Sequence, residues 1–391
     1  MKKILGLLLA LCLIAGCTSA FAAGIPVEQV KIGYITIGDE NEGYSANHLN
    51  GLKEAQAALG ISDDQVLCKY NVPETEDAYE AAIDLAEQGC NIIFATSFGH
   101  ESYVFQAAAE YPNIQFCQAT GNSAMNSELT NVHNYFYAVY ESRYVSGVVA
   151  GMKLAQMIED GTITAENAKI GYVGAFPFAE VISGFTSFFL GARSQCPSVT
   201  MEVRYTNSWA DMALEKETAE ALIADGCVLI SQHADTTGAP SACEAAGVPC
   251  VGYNISMLPV APNTALTSAA GDWGAYVTYA VKCLIDGEEI ARDWCKGYSE
   301  GAVYTTELND SIVAPGTAEK VAELEEAFKA GTVKVFDTSA FTVNGETLTS
   351  YTTAYGLEGI EMVSDGEFHE SSVRSAPYFD ILIDGITAVV E

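Results

Sequence analysis

An α/β fold of two doubly wound parallel-sheet lobes joined by a hinge follows from three features of this 391-residue chain. Short apolar, β-branched runs alternate with amphipathic helical segments, the pattern of βαβ units in a parallel sheet. The alternation occurs as two series separated by one long helical stretch, which asks for two lobes rather than one sheet. Length agrees, because a chain of this size exceeds one ordinary domain and suits two.

In the first series Val30–Ile35 reads as a strand and Asn47–Leu59 as a helix ended by Gly60. Val66–Tyr70 is a strand, Glu76–Gln88 a helix, Asn91–Thr96 a strand, and Glu101–Glu110 a helix stopped before Pro112. Ile114–Gln118 and Val132–Tyr135 complete the series. A long helix from Glu141 to Ile158 leads into strands at Lys169–Val173, Thr200–Tyr205, Cys227–Ser231 and Pro249–Tyr253. Helices at Ala179–Arg193, Ala210–Ala224 and Ala239–Ala246 alternate with them. Beyond lie a short strand (Ala265–Ser268), helices at Trp273–Ile285 and Ala318–Ala330, and a Thr-, Tyr-, Val- and Gly-rich tail from Val333 that reads as hairpins. The resulting division is residues 1–22 as an export signal, 30–138 plus 262–288 as the first lobe, and 139–258 plus 289–391 as the second lobe with its tail. The crossings are placed near 136–142 and 254–265.

Lys2 and Lys3 ahead of the apolar run Ile4–Ala15 form the n- and h-regions of a signal peptide, too short for a membrane span. Two cleavage sites compete. Ile14-Ala15-Gly16-Cys17 resembles a lipobox, with Cys17 lipidated, and Ala20-Phe21-Ala22 is an A-x-A site for plain secretion. The cysteine directly after Ala-Gly favours the first. The chain is therefore expected outside the cytoplasm, held to the membrane by an N-terminal lipid. Of eleven cysteines, nine remain after Cys12 and Cys17, an odd number with no C-x-x-C pair. Cys68, Cys90, Cys117, Cys227 and Cys250, in or beside apolar strand-like runs, read as small core residues, and free thiols fit a reducing habitat.

A formal charge of −33, from 18 basic and 51 acidic side chains, excludes a nucleic-acid partner and disfavours polyanionic ligands. Ligands of open α/β sheets bind beyond the carboxyl ends of the strands. The candidate binding residues are those that follow each strand: Asn41, Tyr44 and Ser45; Ser97 and Phe98; Phe176; Trp209; His233 and Asp235; Asn254; and Trp273. Aromatics recur among them with amides and hydroxyls, and these loops hold no Lys or Arg. Flat rings with polar edges suit a planar, uncharged heterocycle. A cation caged by aromatics is the competing chemistry.

No Walker A loop, G-x-G-x-x-G turn, G-x-S-x-G elbow or H-E-x-x-H helix occurs. The five histidines lack metal-ligand spacing, so no metal, cofactor or enzyme activity is expected. A hydrolase using Asp39 or Asp235 is the catalytic alternative.

The loop sequences carry a resemblance. Gly43-Tyr44-Ser45, Ala95-Thr96-Ser97-Phe98-Gly99, Tyr140-Glu141-Ser142-Arg143-Tyr144, Thr206-Asn207-Ser208-Trp209, Gln232-His233-Ala234-Asp235, Val251-Gly252-Tyr253-Asn254 and Asp272-Trp273-Gly274 together make the chain similar to the basic membrane protein (BMP) family of substrate-binding lipoproteins. Its best-known members bind purine nucleosides. The resemblance runs from about Lys31 to Gly301. It implies a type I periplasmic-binding-protein-like clamp that closes on a small molecule and docks on an ABC permease, most simply as a monomer. It also implies that Tyr44 and Trp209 sandwich a base. Where the family holds ribose with an acidic residue this chain has Asn254, and the stretch Ala269–Trp273 lacks the family's lysine. Both departures point to a smaller ligand, such as a free purine base. A sensory receptor without transport and a sugar-binding clamp of the same fold remain open.

Overall fold

A computed structural model describes residues 24–354 and 357–389. The signal segment and Cys17 lie outside the described residues.

The first sheet is built from β1 (Ile32–Ile35), β2 (Val66–Lys69), β3 (Ile92–Ala95), β4 (Gln115–Ala119) and β5 (Val132–Tyr137), joined by β11 (Asp293–Lys296) in the order β11-β5-β4-β3-β1-β2. Every pairing in it is parallel. Helices α1 (Gly43–Leu59), α2 (Glu76–Glu87) and α3 (Glu101–Glu110) connect these strands. β1, β3 and β5 are buried along their whole length, as expected where helices cover both faces, whereas the edge strand β2 is only half-buried.

The second sheet holds β6 (Lys169–Gly174), β7 (Thr200–Tyr205), β8 (Leu229–His233), β9 (Cys250–Tyr253), β10 (Ala265–Gly271), β12 (Val303–Thr305) and β15 (Ile386–Val389), in the order β12-β10-β9-β8-β6-β7-β15. Only β12 runs antiparallel to its neighbour. Its helices are α4 (Val139–Glu159), α5 (Ala179–Gln195), α6 (Met212–Ala224) and α7 (Gly238–Ala246). The alternation read from the sequence thus produces both sheets, with the second helix series starting two residues earlier than Glu141, at Val139.

The chain passes between the lobes three times. It leaves the first sheet after β5 into α4, leaves the second after β10 into α8 (Trp273–Asp286), and returns between β11 and β12. The division expected from sequence therefore needs correction. Ala265–Gly271 belongs to the second sheet, not the first, and Asp293–Lys296 to the first, not the second. The expectation kept a strand with the helix that follows it. Here the crossing falls inside that βα unit, where Asp272 caps α8 by accepting the Gly274 amide at 2.8 Å. The tail is also less regular than a set of hairpins. It contains α9 (Thr317–Lys329), one two-residue ladder of β13 (Val363–Ser364) with β14 (Glu367–Phe368), and isolated bridges. Phe336 stacks on Phe379 at 4.6 Å and both belong to the main apolar core, which ties this segment to the rest of the chain.

The nine cysteines among the described residues are free, and seven are buried. No helix among the described residues is long and apolar enough to cross a membrane.

Candidate functional site

Between the lobes, past the carboxyl ends of strands from both sheets, lies a cavity of about 100 Å³. The first lobe contributes Ile37, Gly38, Glu42, Tyr44, Ser97, Phe98 and Thr120; the second contributes Glu180, Trp209, Ala210, His233, Asp235 and Tyr253. The topology puts them there, because each follows or ends a strand.

Six of the residues expected from sequence line this cavity: Tyr44, Ser97, Phe98, Trp209, His233 and Asp235. The Tyr44 hydroxyl donates to the Thr96 carbonyl at 2.6 Å, which fixes the ring at the end of β3. The Ser97 hydroxyl is turned away, donating to Glu74 Oε1 at 2.6 Å. Trp209 is held against the neighbouring loop by the Asp235 amide, which donates to its carbonyl at 2.9 Å. At the mouth Phe98, 43 % exposed, approaches Phe178 of the other lobe with ring centroids 6.4 Å apart.

The other five stand off the cavity. Asn41 is exposed and donates to Asp39 Oδ1 at 2.9 Å. Ser45 is buried and braces the loop after β1 by accepting the Gly38 amide at 3.0 Å. Phe176 packs on Trp209 at 5.2 Å and stacks on Phe178, supporting the wall from behind. Asn254 is buried with φ 64° and donates to Asp235 Oδ1 at 2.8 Å, so it orients that acid. Trp273 is a core residue at 1 % exposure, stacked on His48 at 3.9 Å and edge-on to Tyr44.

Sequence reasoning passed over Glu42, Thr120, Glu180 and Tyr253. Glu42 caps α1 by accepting the amides of Tyr44 and Ser45 at 2.6 and 2.8 Å, and burial nonetheless raises its pKa. Glu180 sits in the first turn of α5, beyond the loop that follows β6. Burial pushes its carboxyl up to about 7 against the opposing pull of Arg143. Asp235 is raised well above the usual carboxylate range, first by burial and then by Glu42, Glu215 and Glu180. The guanidinium that acts on Glu180 and His233 belongs to Arg143. It is fully buried on α4, lies 3.7 Å from the Tyr253 ring centroid and donates to the Gln232 carbonyl at 2.7 Å. The cavity therefore combines aromatic side chains from both lobes with acids whose pKa burial raises, and among the described residues that line it there is no Lys or Arg.

The family described as "ABC transporter substrate-binding protein PnrA-like" matches residues 35–335. The chain belongs to this family. As a PnrA-like substrate-binding protein it takes a small-molecule ligand, works with a membrane permease and is of an extracytoplasmic, non-enzymatic type. A purine-binding protein of Brucella abortus is 33 % identical over 311 residues, covering 79 % of this chain and 83 % of that protein. A putative ABC transporter glucose-binding protein of Haloferax volcanii is 29 % identical over 336 residues, covering 85 % and 81 %. An ABC transporter solute-binding protein of Aeropyrum pernix superposes with a TM-score of 0.64 at 18 % identity, covering 78 % of this chain and 93 % of that one; that likeness shows the fold.

Proposed function

We propose that this PnrA-like protein captures a purine, most simply the free base, for import through its permease, and that Cys17 anchors it to the membrane as a lipoprotein. One observation carries the ligand reading: aromatic side chains from opposite lobes, Tyr44 and Phe98 from one and Trp209 and Tyr253 from the other, line one small cavity together with polar groups. Rings gain most from such surfaces when they are flat and uncharged. The volume of about 100 Å³ lies below the ~300–1,000 Å³ of drug-sized sites and leaves little room for a ribose. The name of the Brucella relative agrees with this chemistry.

Binding is coupled to hinge closure. A ligand touching both lobes stabilises the closed state by contacts absent in the open one, and the closed form docks on the permease as a monomer.

A sugar is the second reading, favoured by the name of the Haloferax relative and by carboxyls able to accept from hydroxyl groups. Calorimetry on protein stripped of carried-over ligand by unfolding and refolding separates the two. Tight binding of a purine base with weak binding of its nucleoside is the expected result. Binding of hexoses or pentoses alone would overturn the purine reading.

A further inference from the structure

The second-lobe wall of the cavity contains a buried polar group with nothing to pair it. His233 is 1 % exposed, lines the cavity, and has no hydrogen-bond partner at either ring nitrogen. A buried polar group left unpaired loses its hydration with nothing in return, so native proteins leave few of them. Glu180 Oε1 lies 3.5 Å from Nε2, at the outer limit of a useful contact. Glu180 also lines the cavity, and its side chain keeps 19 % of its surface accessible.

The two groups are rigidly placed. Gly184, one turn along α5 from Glu180, lets the helix close on the imidazole, since a Cβ there would lie 2.5 Å from His233 Nδ1. Tyr253 packs on the ring at 4.5 Å. Burial, and after it the neighbouring Arg143 guanidinium, disfavours a positive charge on the ring, so the imidazole is neutral and offers one N–H and one lone pair. A carboxyl beside a neutral imidazole presents a donor and acceptors along one edge of the cavity.

We infer that Glu180 and His233 form the subsite that reads a ring N–H and an adjacent acceptor nitrogen of the bound heterocycle, and that this pair sets which bases the pocket takes. The inference rests on the purine reading above. It assigns a specificity role to Glu180 and, of the two His233 nitrogens, engages Nε2, the one beside Glu180, since Nδ1 faces Gly184 of α5.

The test is calorimetry on the full-length, ligand-stripped protein and its E180A, E180M and E180Q variants. The probes are adenine, hypoxanthine, guanine and xanthine, together with analogues methylated singly at each ring nitrogen and a panel of hexoses and pentoses. Melting curves of the ligand-free variants establish that each is folded, and E180M replaces E180A if the smaller side chain fails. Removal of the carboxyl is expected to weaken base binding by about tenfold or more, with E180Q restoring most of it. At one ring position the methyl penalty seen in the native protein disappears in E180A or E180M, the non-additivity that marks a direct contact. Base binding with native affinity in those variants, or methyl penalties that simply add, overturns this inference alone. A native protein that binds sugars and no base overturns the purine reading and this inference together.

Discussion

Gly43 of the first lobe stands against the backbone carbonyl of Asp235 in the second, so that a Cβ built on Gly43 would lie 2.8 Å from that oxygen. This is a contact between lobes, at the first residue of α1, where alanine is a better helix former than glycine. Gly43→Ala should therefore leave the ligand-free melting temperature unchanged or slightly raised while opposing closure. A misfit of this size costs roughly 1–2 kcal/mol, or about tenfold in ligand affinity. Small-angle scattering with saturating ligand should show the variant more open than the native protein. Equal affinity and equal compaction would mean that the lobes do not meet there in the bound state.

The two tryptophans expected to bind ligand should behave in opposite ways. Trp209 is half-buried on the cavity wall, whereas Trp273 is sealed in the first-lobe core against His48 and Tyr137. Trp209→Ala should lower affinity for a stacked base by about 1–3 kcal/mol with little change in melting. Trp273→Ala should cost about 3–5 kcal/mol of stability and affect binding only through unfolding. Paired melting and titration curves check both. A stable Trp273→Ala protein with lost binding would place that ring in the site.

These contrasts show what the sequence displays and what it hides. Alternating strands and helices were readable because burial of parallel strands on both faces demands continuous apolar runs, as in Ile92–Ala95. The end of each strand located the cavity to within a few residues, hence Tyr44, Trp209 and His233. Which side of a loop a residue faces is not a periodic property, so Asn41 and Trp273 read the same as Tyr44 and Trp209. Glu180 was hidden for another reason: an acid in the first turn of a helix is ordinarily explained by the helix dipole, so it carries no signal of its own. The exchange of β10 and β11 between sheets was equally invisible, because a crossing placed between a strand and its helix leaves both patterns intact.

The anchor is testable without reference to the ligand. If Cys17 carries the lipid, the native protein should partition into the detergent phase of a phase-separating extract, and Cys17→Ser should move it to the aqueous phase. Intact-mass analysis of the mature chain should place its N-terminus at Cys17 with added acyl mass. An unmodified N-terminus after Ala22 would identify the protein as freely secreted.

Glu180 supplies a pH dependence whose direction is fixed by its raised pKa. In the unfolded chain the carboxyl titrates at an ordinary 4.5; in the fold burial holds its proton up to about 7. Below the unfolded value both states are protonated and the group adds no penalty. Between the two values the unfolded state alone has lost the proton, so stability falls as pH rises, and above about 7 the penalty is complete. Its ceiling is about 3 kcal/mol, and with 19 % of the side chain open to solvent about 2 kcal/mol is expected. Glu180→Gln removes the titration and keeps the shape. In denaturant melts of ligand-free protein the variant should match the native chain near pH 4 and exceed its stability above pH 7, with the gap growing between. A constant gap across that range would show that Glu180 titrates like an exposed acid, and a gap of opposite sign would show that its charge is stabilised by Arg143.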